Sequence, residues 1–100
     1  NMTIQGPFIN APFKILHERL PQVHERKLKP EIYFDASTLD TCSPSMYQDV
    51  ANSLRSHGIP CTFHAPFEDL QPASFDDRIR KISLQRLRDT CQLAKLFNPL

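Results

Sequence analysis

Residues 59–74 read Ile-Pro-Cys-Thr-Phe-His-Ala-Pro-Phe-Glu-Asp-Leu-Gln-Pro-Ala-Ser and change from apolar to polar at His64. The first half has the character of a buried strand. His64 therefore falls where a strand gives way to a loop. In open α/β sheets, ligands bind beyond the carboxyl ends of the parallel strands. Imidazole is a common ligand of divalent cations, but such an ion needs several donors, and one histidine is not a site. The following loop is stiffened by Pro66 and Pro72 and carries Glu68 and Asp69. A hydrogen-bonded structural histidine is the competing, less favoured reading of His64.

Two other polar residues fall at expected strand ends. Asn10 closes the short apolar stretch 6–10, and Asp35 closes the stretch 31–35. An Asp after a strand is also an ordinary turn former, so Asp35 carries both readings. The triplet His-Glu-Arg occurs twice, at His17 and at His24. At helical spacing the two imidazoles share a face, which reads as solvated surface rather than a metal pair. Cys42, Cys61 and Cys91 are odd in number and lack Cys-x-x-Cys spacing, which argues against a zinc knuckle or redox pair. Cys61 and Cys91 read as small buried hydrophobes.

The elements that must position His64 alternate. Residues 6–10 form a first strand bounded by prolines. Phe13, Leu16, Leu20 and Val23 have helical spacing over residues 13–27. Pro21 predicts a kink there, or two short helices with Pro21 in the first turn of the second. Residues 31–35 form a second strand whose consecutive large apolar residues predict burial on both faces. A polar loop runs from there to Cys42. Ser43 and Pro44 then cap and open a helix bearing Met46, Val50 and Leu54, with His57 in its last turn and Gly58 ending it. Residues 60–65 form the third strand. A long final helix opens at Asp76 and Asp77 and stops at Asn98 and Pro99. Its rows Phe75, Ile79, Ile82 and Leu84, Leu87, Cys91, Ala94 predict a wide buried face. Its arginines and lysines are read as a solvated outer face, with Asp76 and Asp77 pairing to Arg80 and Lys81.

One hundred residues with 40% hydrophobic content make a single domain over 1–100. The net charge of +1 gives no general attraction to nucleic acid or membrane. No apolar run reaches the ~18 residues of a membrane span, and no signal-peptide pattern is visible. A cytoplasmic, reduced setting is expected, with Asn1 before Met2 reading as a tag remnant. Strand–helix alternation implies a parallel sheet. Three parallel strands leave two unpaired edges, so the expected fold is a partial (β/α) TIM barrel, or a chain that completes its sheet by oligomerising. A whole barrel takes ~250 residues.

His64-Ala65-Pro66-Phe67-Glu68-Asp69-Leu70, with Gln71 to Asp76 behind it, resembles the third-strand segment of the xylose isomerase-like TIM-barrel superfamily. That group holds sugar and sugar-phosphate isomerases and epimerases, together with the endonuclease IV type of apurinic-site nuclease (AP endonuclease family 2). The likeness runs over residues 6–100 and corresponds to the family's first three strand–helix units. It implies that His64 is a metal ligand or lines the substrate pocket beside the metal. It further implies a divalent cation (Zn, Mn or Mg) in a complete barrel, and a sugar substrate with Asn10, Asp35 and Asp69 lining the same mouth. The remaining ligands would come from later strands, so this chain alone is expected to be inactive. Gln71 stands where the nuclease branch has asparagine, which disfavours a nucleic-acid substrate. A non-catalytic half-barrel that assembles with its own copies is the third expectation.

Overall fold

The computed structural model describes residues 6–64 and 70–100. The elements are β1 (Phe8–Pro12), α1 (Phe13–Glu18), α2 (Leu20–Arg26), β2 (Lys29–Tyr33), α3 (Ala36–Thr41), α4 (Pro44–Ser56), β3 (Thr62–His64) and α5 (Asp77–Phe97). The strands form one parallel three-stranded sheet in the order β1-β2-β3. The chain is thus a mixed α/β unit of parallel strands alternating with helices.

Pro21 divides the first helical region as its chemistry requires. It lies in the first turn of α2, where its missing N–H costs nothing. Arg19 joins α1 to α2, and its amide donates to the Ile15 and Leu16 carbonyls. α2 and α4 stop in the same way. The Leu28 amide reaches back to the Val23 carbonyl at 3.1 Å, and the Ile59 amide to the Leu54 carbonyl at 2.9 Å. Each bond needs a left-handed residue before it, supplied by Lys27 (φ 51°) and Gly58 (φ 64°).

Pro30 and Ile32 of β2, with Phe34 just beyond it, alternate to one face of the strand and are fully buried. They meet Phe13 and Leu16 of α1, Val23 of α2, Val50 and Leu54 of α4, and Phe97 of α5 in a single core. The Phe34 ring lies 4.8 Å from Phe63, 5.5 Å from Phe13 and 6.0 Å from Phe97, centroid to centroid. All helical packing therefore falls on one side of the sheet.

Four expectations are corrected. Strand β2 is not buried on both faces: Lys29, Glu31 and Tyr33 are only half-buried because their face carries no helix. Residues 36–41 are not loop but α3, nucleated by Asp35 and held by the Tyr47 hydroxyl, which donates to the Thr38 carbonyl at 2.9 Å. Burial pushes that phenol up to about 12. On α5 the buried positions are Ser83, Thr90 and Phe97, whereas Phe75, Ile79, Ile82 and Cys91 are exposed. The helix presents only a narrow face to α3 and α4, and Phe75 precedes it with 104% relative exposure. Finally, Arg86 is not solvated surface. It forms a two-toothed ion pair with Asp40 of α3 and holds that carboxyl below the ordinary range.

Candidate functional site

Parallel register decides which side chains share the open face. Asn10 of β1 stands opposite Glu31 of β2, which stands opposite Thr62 of β3. One step toward the carboxyl ends, Pro12, Tyr33 and His64 form the next row. Since successive side chains alternate faces, all of these point away from the helical layer. Asn10, Glu31, Tyr33 and His64 line one cleft of about 360 Å³. The Tyr33 and His64 rings are 5.4 Å apart and tilted by 54°. An amide, a carboxylate, a phenol and an imidazole thus face one space.

The local causes are plain. Glu31 and Tyr33 can be half-solvated because Pro30, Ile32 and Phe34 anchor the other face of the same stretch. Glu31 is in no ion pair among the described residues, and Lys29, one row behind it, lies with its ammonium 4.6 Å from the Phe8 ring centroid. The Thr62 hydroxyl, beside Glu31 in register, is buried and has no hydrogen-bond partner among the described residues. A buried hydroxyl in that condition disfavours the site by roughly 1–3 kcal/mol unless something satisfies it.

Of the residues singled out from sequence, Asn10 and His64 come together. Asp35 follows β2 at the same end but caps α3: its carboxylate accepts the Thr38 amide at 2.7 Å. That hydrogen bonding, with a smaller contribution from the Lys14 charge, holds the acid below the ordinary carboxylate range. Asp35 is not part of the cleft lining. Asp69 and Glu68 lie outside the described residues. Glu31 and Tyr33 were missed. The signal that reveals them is the alternation Lys29, Glu31, Tyr33 against Pro30, Ile32, Phe34, which marks one wet and one dry face.

Comparison with known proteins adds a fold. No family model matches the chain, and no curated protein does. A solved structure does match: the TTHB071 protein from Thermus thermophilus, obtained with ZnCl2 soaking. It superposes with a TM-score of 0.73 at 24% identity, over 92% of this chain and 36% of that one. The chain therefore spans about a third of that protein's length, and the likeness shows the fold alone. Among the described residues no group of three or more His, Cys, Asp or Glu side chains is placed to hold a metal, and no helix is long and apolar enough to cross a membrane.

Proposed function

We propose that this chain forms the first three strand–helix units of a (β/α) barrel of the xylose isomerase-like kind. On this reading its bare sheet face is part of the sugar-facing wall of an isomerase or epimerase acting on a sugar or sugar phosphate. The observation that carries the reading is the cleft of Asn10, Glu31, Tyr33 and His64 on the uncovered face of a parallel sheet. Doubly wound sheets carry helices on both faces, whereas barrel strands turn one face inward and keep their helices outside. The amide of Leu100 supports the same reading. It donates to the Cys61 carbonyl at 2.9 Å, just ahead of β3, along the edge where a fourth parallel strand would pair.

The side chains suit a polyhydroxy ligand. Glu31 accepts hydrogen bonds from hydroxyls, Asn10 donates and accepts, Tyr33 offers both a ring face and a hydroxyl, and His64 can give or take a proton. A divalent cation, when bound, would polarise a sugar hydroxyl or carbonyl. The described residues do not complete a site for one: His64 and Glu31 are two donors, and a closed zinc site takes four.

Calorimetry on the 100-residue chain tests the reading, with ZnCl2 and with an aldose phosphate as separate titrants. Binding of at least one is expected, weakened about tenfold or more by His64→Ala, which corresponds to the loss of one well-made polar contact. Equal binding by both chains, or none by the parent, would end the proposal. A nuclease reading finds no support in the +1 net charge. Self-assembly of the chain is favoured by the exposed Phe75, Ile79 and Ile82 at the approach to and start of α5.

A further inference from the structure

The two His-Glu-Arg triplets place His17 and His24 against α4 rather than in solvent. His17 Nε2 lies 3.8 Å from the Asp49 carboxylate. His24, in the last turn of α2, stacks flat on His57, which caps the end of α4. The ring centroids are 3.7 Å apart and the planes differ by 11°. Ser53 fastens both rings. Its hydroxyl is 2.7 Å from His24 Nε2, and its carbonyl accepts from His57 Nδ1 at 2.8 Å. That carbonyl bond keeps a proton on Nδ1 of His57, so a second proton would go to its Nε2.

The charged groups on the elements around the stack leave it uncompensated. On α4, Asp49 faces His17, and Arg55 donates to the Asn52 side chain and the Leu96 carbonyl. On α2 itself Glu25 and Arg26 flank His24, with Lys27 at its C-cap; α1 carries Lys14, His17 and Glu18, with Arg19 at the junction; and α5, packed on α4, carries Lys95 in its last turn. Among the described residues none of these carboxylates hydrogen-bonds either stacked ring. Neutral rings stack at this distance without conflict. Two imidazolium ions face to face repel, and no acid lies between them.

We propose that the His24–His57 stack is a proton-operated latch that holds α2 on α4 while the rings are neutral and releases it when both are charged. The position gives the latch reach. α2 is seven residues long and cannot persist without tertiary contacts. It leads into β2 through Lys27 and Leu28 alone, while His57 leads through Gly58 toward β3. The stack thus ties together the amino-terminal approaches of two neighbouring strands, at the end of the sheet away from His64. Burial, and secondarily the His57 charge, lower the affinity of His24 for its proton. With the folded value depressed, the unfolded chain binds the proton more readily. The latch is therefore fully present above the ordinary histidine range and is lost as pH falls through and below it.

The test is an NMR titration of the histidine ring protons in the 100-residue chain, with amide exchange read in parallel. In the parent, α2 amides are expected to lose protection on acidification before those of α5 do. In His57→Gln, the His24 midpoint should shift upward and the early loss of α2 protection should disappear. His24→Gln should abolish the same early loss, and it serves if His57→Gln folds poorly. An unchanged His24 midpoint in His57→Gln, or α2 and α5 opening together at every pH in the parent, would overturn the latch. Neither readout depends on any ligand.

Discussion

Asp35 and Glu31 lie on the same short stretch of chain, and their environments give them different work. Asp35 accepts the Thr38 amide and starts α3; replacing it with alanine should cost about 1 kcal/mol, the usual worth of such a cap. Its acidity is raised by that bond, so the contribution exists above the ordinary carboxylate range and fades as pH falls below it. Urea midpoints for parent and Asp35→Ala should therefore differ at neutral pH and converge in acid; a constant gap would contradict the capping role. Glu31→Gln should leave the stability within about 0.5 kcal/mol, as substitutions outside the core do. On the proposed reading it should weaken sugar-phosphate or zinc binding, separating ligand contact from scaffold. The cysteines divide by burial in the same manner. Cys61 is buried and its thiol is pushed up to about 11, whereas Cys91 is exposed. A disulfide reagent at a pH of about 8, close to the ordinary thiol range, should label Cys91 in the folded chain and Cys61 only after unfolding.

At the scale of the element, much was legible because the punctuation is chemical. Ser43 and Pro44 begin α4 and Gly58 ends it, since a hydroxyl cap, a pre-set φ and a left-handed residue have few other uses in that order. Pro21 split the first helical region for an equally local reason. What escaped reading depended on distant partners. α3 has only six residues, mostly small or polar, and exists because Asp35 caps it and Tyr47 and Arg86 reach it from α4 and α5. The wet face of β2 depended on which side the helices chose, and that is a tertiary fact. His64 could be placed at a strand end from sequence, whereas Asn10, expected at the end of a strand over 6–10, sits in the middle of β1 because that strand runs on to Pro12, and the convergence of both with Glu31 required the register. Lys27 offers a test of the helix-ending logic. A lysine held at φ 51° is strained where glycine is not. Lys27→Gly should stabilise the chain by up to about 1 kcal/mol, the residual after glycine's greater unfolded-state freedom is subtracted. A drop in thermal midpoint would show that the Lys27 side chain contributes more than its backbone strain costs.

For the whole molecule, the sheet has one clothed face and one bare face, and among the described residues β1 and β3 each have one unpaired edge. Free edges and exposed apolar rows promote association. Phe75, just before α5, and Ile79 and Ile82 in its first turns have relative exposures of 104%, 41% and 51%, outside the core that the helices share. In a barrel, a neighbouring strand–helix unit beyond β3 would cover such a row. In its absence, the same surface is available to another copy of the chain. Sedimentation of the 100-residue chain should then show concentration-dependent association. Changing Phe75, Ile79 and Ile82 together to polar residues should shift it toward monomer without lowering the urea midpoint, because these side chains support no interior packing. If the triple variant unfolds, the row belongs to the core after all. If association persists undiminished, the strand edges rather than α5 drive it, and the bare face of Asn10, Glu31, Tyr33 and His64 would be the surface to block next. A longer polypeptide that supplies a fourth strand beside β3 should be monomeric with the apolar row intact, since the Leu100 to Cys61 hydrogen bond already sets the chain along that edge.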